Sequence, residues 1–413
     1  MIHFEQATLS NGLKLVVTND PSTPLVAVCT TYMVGTRDEQ MDKTGFAHLF
    51  EHLMFGGSEN APDFDGALQD AGGENNAYTS NDFTVYYETL PLENLETALW
   101  LESDRMAALT LNKKALKTQQ KVVVEEFKET CLNEPYGDVW HFLSPLVYTQ
   151  HPYKIPTIGL SFEHIEQATL EDVKSFFERY YRPDNAILTL CGNINLETAL
   201  PLVEKYFGRI PASAPLQKNY PQEPTQTEKR SLWHQGEVPL NAIYLAFRAA
   251  PRASQAYYIE DVLSDLLAEG ETGSLYQQLV KERQIFTEID AYTTATLDDS
   301  MFIIEAKLYD NQTFETAEAT IWEELRKLQT QPLNTRDWEK LQNRIESNFV
   351  FGELSTINKA MNLGFYTALG DANLINTEAD LYRSLSPVQI CEHAQALFQP
   401  ERASVLYYQK KKA

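Results

Sequence analysis

Short runs of period-two apolar residues alternate along the chain with longer stretches of helical spacing, and their order predicts the elements. Gln6-Ala7-Thr8-Leu9-Ser10-Asn11-Gly12-Leu13-Lys14-Leu15-Val16-Val17 reads as strand, Asn-Gly turn, strand. Leu25 to Val34 is a third, strongly apolar strand. A helix is expected to start near Lys43-Thr44-Gly45 and to run into Met54-Phe55, where Gly56-Gly57 ends it. Asp63 to Asp70 reads as a short helix and Asn76 to Leu90 as paired strands. Amphipathic spacing predicts long helices over Leu92 to Leu109 and Lys114 to Thr130. Cys191 lies in a further strand, after Tyr181-Arg182-Pro183-Asp184-Asn185. No stretch approaches the ~18 apolar residues of a membrane span.

From Pro211 to Lys229 the chain turns Pro-, Gln- and Thr-rich and loses periodicity, the composition of a linker. Beyond it the order of elements repeats. Asn75-Asn76-Ala77-Tyr78-Thr79-Ser80 has a counterpart in Ile289-Asp290-Ala291-Tyr292-Thr293-Thr294, and Glu339 to Phe349 would correspond to the Lys114 to Thr130 helix. The expected division is residues 1–212, a linker over 213–229, and a homologous domain over 230–413.

Composition narrows the class. A chain of 413 residues, 43% hydrophobic and 11% aromatic, is globular and too long for one ordinary core. A net charge of -24 argues against nucleic acid, whose phosphates would be repelled. The four cysteines, Cys29, Cys131, Cys191 and Cys391, have no CxxC spacing and read as buried free thiols. Met1-Ile2-His3-Phe4-Glu5 lacks a basic region followed by an apolar stretch, so a cytoplasmic location is expected, with the periplasm as the alternative if a leader has been removed.

The candidate chemistry sits in His48-Leu49-Phe50-Glu51-His52. On a helix, residues i and i+4 share a face, so His48 and His52 can aim two imidazoles at one cation. Glu51 projects beside them, within reach of a water but not required as a ligand. Two neutral nitrogens, one further ligand from another element and one open position make a catalytic zinc site. The HxxEH order reverses the usual zinc-protease motif. Glu51 is then the candidate catalytic base, and His48 and His52 are candidate metal ligands. The other histidines (His3, His141, His151, His164, His234, His393) lack ligand spacing.

Gly45-Phe46-Ala47-His48-Leu49-Phe50-Glu51-His52-Leu53-Met54-Phe55-Gly56-Gly57-Ser58 closely resembles the signature of the pitrilysin-type (inverzincin) zinc peptidases. That family includes the insulin-degrading enzymes, the mitochondrial processing peptidases and bacterial members of about this length. Gly72-Gly73-Glu74-Asn75-Asn76-Ala77-Tyr78-Thr79 and Tyr181-Arg182-Pro183-Asp184-Asn185-Ala186 resemble further family blocks, and Thr272-Gly273-Ser274-Leu275-Tyr276-Gln277-Gln278-Leu279 does so more weakly. The resemblance implies an α+β fold of two duplicated domains, each a mainly antiparallel sheet packed with helices, together forming half of a clamshell-like chamber. It implies a zinc-dependent endopeptidase acting on peptides. It also implies a third ligand, a glutamate on a later helix after a hydrophobic run, which Val122-Val123-Val124-Glu125-Glu126 matches at Glu126. Glu129 is the next candidate on the same face. Asn76 and Ala77 resemble the family's substrate-binding edge.

Three departures carry expectations. Ile259 to Leu267, the stretch matching the zinc helix, contains no histidine, so the second half is expected to be metal-free. Family members often carry an acid two turns before the glutamate ligand, and this chain has Gln119 there. The family's Arg and Tyr that hold substrate and stabilise the oxyanion align with Val280 and Thr287. The resemblance therefore implies a heterodimer in which a homologous metal-free subunit supplies Arg and Tyr. Arg283 or a nearby Tyr is the rival within the chain. A non-catalytic structural or binding subunit of the same fold is the alternative function.

Overall fold

The computed structural model describes residues 1–268 and 270–411. Strands β1 (Phe4–Thr8) and β2 (Lys14–Asn19) flank the predicted turn and pair antiparallel. The chain continues through β3 (Leu25–Tyr32), α1 (Phe46–Leu53), α2 (Phe64–Asp70), β4 (Glu74–Thr79), β5 (Thr84–Pro91), α3 (Leu95–Ala108) and α4 (Lys113–Phe127). A π-helical turn, Lys128–Asn133, leads to α5 (Val139–Val147), α6 (Phe162–Glu166), α7 (Leu170–Tyr180), β6 (Ala186–Gly192) and α8 (Leu196–Phe207). The second half runs β7 (Arg230–Gly236), β8 (Ala242–Ala249), α9 (Gln255–Ala268), β9 (Phe286–Thr293), β10 (Ser300–Leu308), α10 (Phe314–Thr330), α11 (Thr335–Gly352), α12 (Thr356–Leu369), α13 (Leu374–Arg383), α14 (Pro387–Leu397) and β11 (Ala403–Lys410).

The two sheets have orders β1-β2-β6-β3-β5-β4 and β7-β11-β8-β10-β9. In each, one neighbouring pair is parallel (β2 with β6, β7 with β11) and the rest are antiparallel. Remove the edge strand β1 and the second order reproduces the first. The duplication suggested by one short match thus extends through both sheets, with β9 in the place of β4, α9 in that of α1 and α11 in that of α4.

The compact units do not follow two contiguous segments. One comprises residues 1–127, 155–220 and 348–377; the other comprises 128–154, 221–347 and 378–413. Each half of the sequence thus gives one helix to the other unit's composition, α5 from the first half and α12 from the second. The sheets require this. Strands β3 and β6 are buried almost throughout, so both faces of the first sheet need cover. On one face Ala27, Cys29, Val85 and Cys191 cluster with Ala360, and Val16 and Ile187 with Leu363 and Tyr366, all from α12. In the second unit Val139, Leu143 and Val147 of α5 pack with Ala242, Tyr244, Leu406 and Tyr408.

Two smaller differences from expectation have local causes. The helix expected from Lys114 to Thr130 ends as α-helix at Phe127 and widens into the π-helical turn. The predicted linker carries no regular element beyond the end of α8 until β7, but it is anchored: Lys218 Nζ lies 3.0 Å from Asp38 Oδ1, and Tyr220 donates its hydroxyl to the same oxygen at 2.7 Å. No helix among the described residues is long and apolar enough to cross a membrane.

Candidate metal centre

Helix α1 begins at Phe46, later than the spacing predicts. Gly45 has φ +85°, a left-handed conformation that suits glycine, and stays outside the helix. Glu39 supplies the cap: its Oε2 accepts from the Gly45 amide and its Oε1 from the Ala47 amide, each at 2.8 Å. Enclosure of that carboxylate pushes its pKa up to about 8, against the opposing pull of the two amides.

The helix turns Phe46, Ala47, Leu49, Phe50 and Leu53 inward. Phe50 stacks on Phe176 at 5.2 Å and on Tyr181 at 4.9 Å between ring centres, and its carbonyl accepts the Tyr86 hydroxyl at 3.1 Å. Behind Tyr86, the buried Arg105 guanidinium lies 4.6 Å over its ring and pairs with Glu102. One buried cation faces two acidic side chains there, and burial holds the Glu88 carboxyl well above the usual range. With its apolar face fixed, α1 can present only His48, Glu51 and His52 outward.

His48 and His52 meet edge to face, their Nε2 atoms 3.3 Å apart. Glu126 arrives from α4 with one carboxylate oxygen for each ring: Oε1 lies 3.5 Å from His48 Nε2, and Oε2 lies 3.2 Å from His52 Nε2. Four-coordinate zinc with Zn–N bonds of ~2.0–2.1 Å places ligand atoms about 3.4 Å apart. The donor atoms therefore lie close enough together to share one such ion. His48, with its other ring nitrogen buried and without a hydrogen-bond partner, offers only Nε2 to the cluster. The His48 and His52 imidazoles hold Glu126 well below the usual carboxylate range, so this carboxyl is an anion and a competent ligand.

Among the described residues these three form the one group of at least three His, Cys, Asp or Glu side chains close enough to share an ion. Glu125 and Glu129, the neighbours left open by sequence, are exposed and outside it. Glu51 is half-buried beside the cluster and accepts the Thr79 hydroxyl at Oε2, 2.6 Å away. Sequence reading missed both Thr79 and Glu39. The signal available for Thr79 was its place in the block Asn76-Ala77-Tyr78-Thr79, read there only as a strand edge.

That edge exists: β4 is the outermost strand of its sheet, and Asn76 is exposed on it. Asn76 Oδ1 accepts from the Ala77 amide at 2.8 Å. In the second unit Val280 lies on a π-helical turn (Tyr276–Glu282), while Thr287 sits on β9 and donates to the Lys307 carbonyl at 3.2 Å. Arg283, the rival cation, pairs with Glu323 at 2.6 Å. On α9 and α11, the counterparts of α1 and α4, the helices carry an ion pair instead of a donor cluster. Arg344 Nη2 lies 2.9 Å from Asp265 Oδ2, though off the direction of a hydrogen bond.

Residues 14–159 match the family described as Insulinase (Peptidase family M16), and residues 167–345 match the Peptidase M16 inactive domain. The zinc protease PqqE of Helicobacter pylori is 30% identical over 352 residues, spanning 84% of this chain and 79% of that protein. The crystal structure of a protease from Helicobacter pylori superposes with a TM-score of 0.93 at 27% identity, covering 99% of this chain and 100% of that one. The periplasmic protease PqqL from Escherichia coli shares the fold at 18% identity and a TM-score of 0.79; 98% of this chain covers 47% of that one.

Proposed function

The chain belongs to the M16 peptidase family, and on that premise we propose that it is a zinc-dependent endopeptidase acting on peptides or short unfolded polypeptides. The observation that carries the reading is the convergence of His48 Nε2, His52 Nε2 and the Glu126 carboxylate at the spacing of zinc ligands. Zinc held there supplies Lewis acidity, polarising a carbonyl and making water a competent nucleophile near neutral pH.

The chain's own groups do the rest. Glu51 takes a proton from the attacking water as its oxygen bonds to the scissile carbonyl carbon. The same carboxyl then gives that proton to the leaving amine as the C–N bond breaks, and Glu51 ends as it began. The outer edge of β4, with Asn76 and Ala77, would hold substrate as an added strand, since backbone pairing binds an extended peptide with little sequence choice. An exposed edge strand beside α1 supports this.

The two positions expected to supply the oxyanion's partners hold Val280 and Thr287 in this chain. Val280 and Thr287 cannot donate as Arg and Tyr would, and one such donor contributes ~3 kcal/mol. We therefore assign the chain as the metal-bearing member of a heterodimer with a homologous metal-free subunit. The same departure favours the second reading, a non-catalytic subunit of this fold.

The test is peptide hydrolysis by the chain purified with and without co-purifying protein. The expected result is activity that chelators abolish, zinc restores and Glu51→Gln removes. Full activity in Glu51→Gln would end the assignment. Equal rates with and without the companion would leave the chemistry standing and remove the heterodimer.

A further inference from the structure

We propose that Thr79 is a positioning residue for this hydrolysis: its hydroxyl holds the Glu51 carboxylate in the orientation from which it accepts the proton of water. The inference rests on the reading of Glu51 as the base. Thr79 lies at the end of β4, the strand whose outer edge would take the peptide, and donates to Glu51 Oε2 at 2.6 Å. One oxygen is thereby engaged, and Oε1 is left to receive the proton. A half-buried carboxylate on a helix face otherwise has several rotamers, and each wrong one removes the base.

The hydroxyl is backed by a braced turn. Ser80 Oγ accepts from the amides of Asp82 and Phe83 at 3.2 and 3.1 Å and donates to the Phe83 carbonyl at 3.0 Å. From the segment preceding α1, the Thr36 and Arg37 amides donate to the carbonyls of Ser80 and Asn81 at 3.3 and 3.0 Å. Arg37 also pairs with Asp82 at 2.9 Å, both side chains nearly buried. Backbone approaches backbone so closely that a Cβ on Gly35 would stand 2.4 Å from the Asn81 carbonyl oxygen. Two residues beyond Arg37, Glu39 caps α1 itself. A single short segment therefore sets both ends of the contact: the turn after Thr79 and the start of the helix that carries Glu51. Packing alone does not call for a hydroxyl here, since valine has the same shape and a strand accepts it readily.

Thr79→Val and Thr79→Ser separate a positioning role from a packing one. In crystals of Thr79→Val the Glu51 carboxylate should leave its present position, and in Thr79→Ser it should keep it. With zinc content unchanged, Thr79→Val should lower kcat by roughly 10- to 100-fold at unchanged KM, the range for one hydrogen bond to a charged group. Thr79→Ser should recover most of that loss. An unmoved Glu51 in Thr79→Val, an unchanged kcat, or a serine variant as impaired as the valine one would overturn the proposal. Absence of hydrolysis in the unsubstituted protein, companion included, sinks the reading of Glu51 as base. An active parent with an equally active Thr79→Val sinks only the role of Thr79.

Discussion

Helices α1 and α4 of one unit and α9 and α11 of the other hold the same places in a duplicated order of elements, yet different chemistry joins them. The first pair converges two imidazoles and a carboxylate; the second sets a guanidinium against a carboxylate. Arginine carries its positive charge permanently and offers no coordination chemistry. At the corresponding place in the second pair the described residues offer no such donor set. The proposed zinc in the first is tied to reaction, and the two pairs should respond oppositely to the same interventions.

The largest contrast is expected from Glu51→Gln, which should lower kcat by on the order of 10³-fold while zinc content stays at one per chain. Asp265→Asn on the corresponding helix should leave hydrolysis at its parental rate. Next in size is removal of the metal. Ligand binding at 1,000 times Kd stabilises by ~4 kcal/mol, so chelation should lower the thermal midpoint by on the order of 10 °C. Hydrogen exchange after chelation should rise in α1 and α4 but not in α9 and α11; a rise in both pairs would dissolve the contrast.

Arg344→Met should cost about 0.5–1 kcal/mol by denaturant titration, because the ion pair is partly exposed and screened, and should leave activity unchanged. The remaining contrast concerns pH. The folded-state pKa of Glu39 is raised to about 8 from 4.5, so the folded chain keeps this proton longer than the unfolded chain. Its contribution to stability is full below about 4.5 and is lost as pH rises through about 8. Glu39→Gln should flatten the fall of the thermal midpoint across that window, and an unaltered slope would remove this role.

The same comparison shows what sequence could carry. The strands and the helix containing His48 and His52 were legible because their periods are local, and Glu126 because it follows an apolar run that a family pattern marks. The lack of a histidine pair on the second unit's corresponding helix was legible in Ile259 to Leu267. The exchange of α5 and α12 was not. Amphipathic spacing states that a helix has an apolar face but not which sheet that face meets, and both sheets expose apolar surface for a covering helix. Nor were Glu39, Thr79 or the Asp265–Arg344 pair legible, since each acts across contacts that chain order does not encode. Thr79 and Glu51 lie on different elements, and the segment from Gly35 to Glu39 bonds both to the turn after the one and to the start of the helix that carries the other.

Anomalous diffraction at the zinc edge, on crystals of the zinc-loaded chain, is the most direct measurement. The expected result is one peak at ~2.0–2.1 Å from His48 Nε2 and His52 Nε2, shared with the Glu126 carboxylate, and no peak between α9 and α11. A zinc peak elsewhere with none at these residues, or the same peak surviving in His48→Ala/His52→Ala, would contradict it.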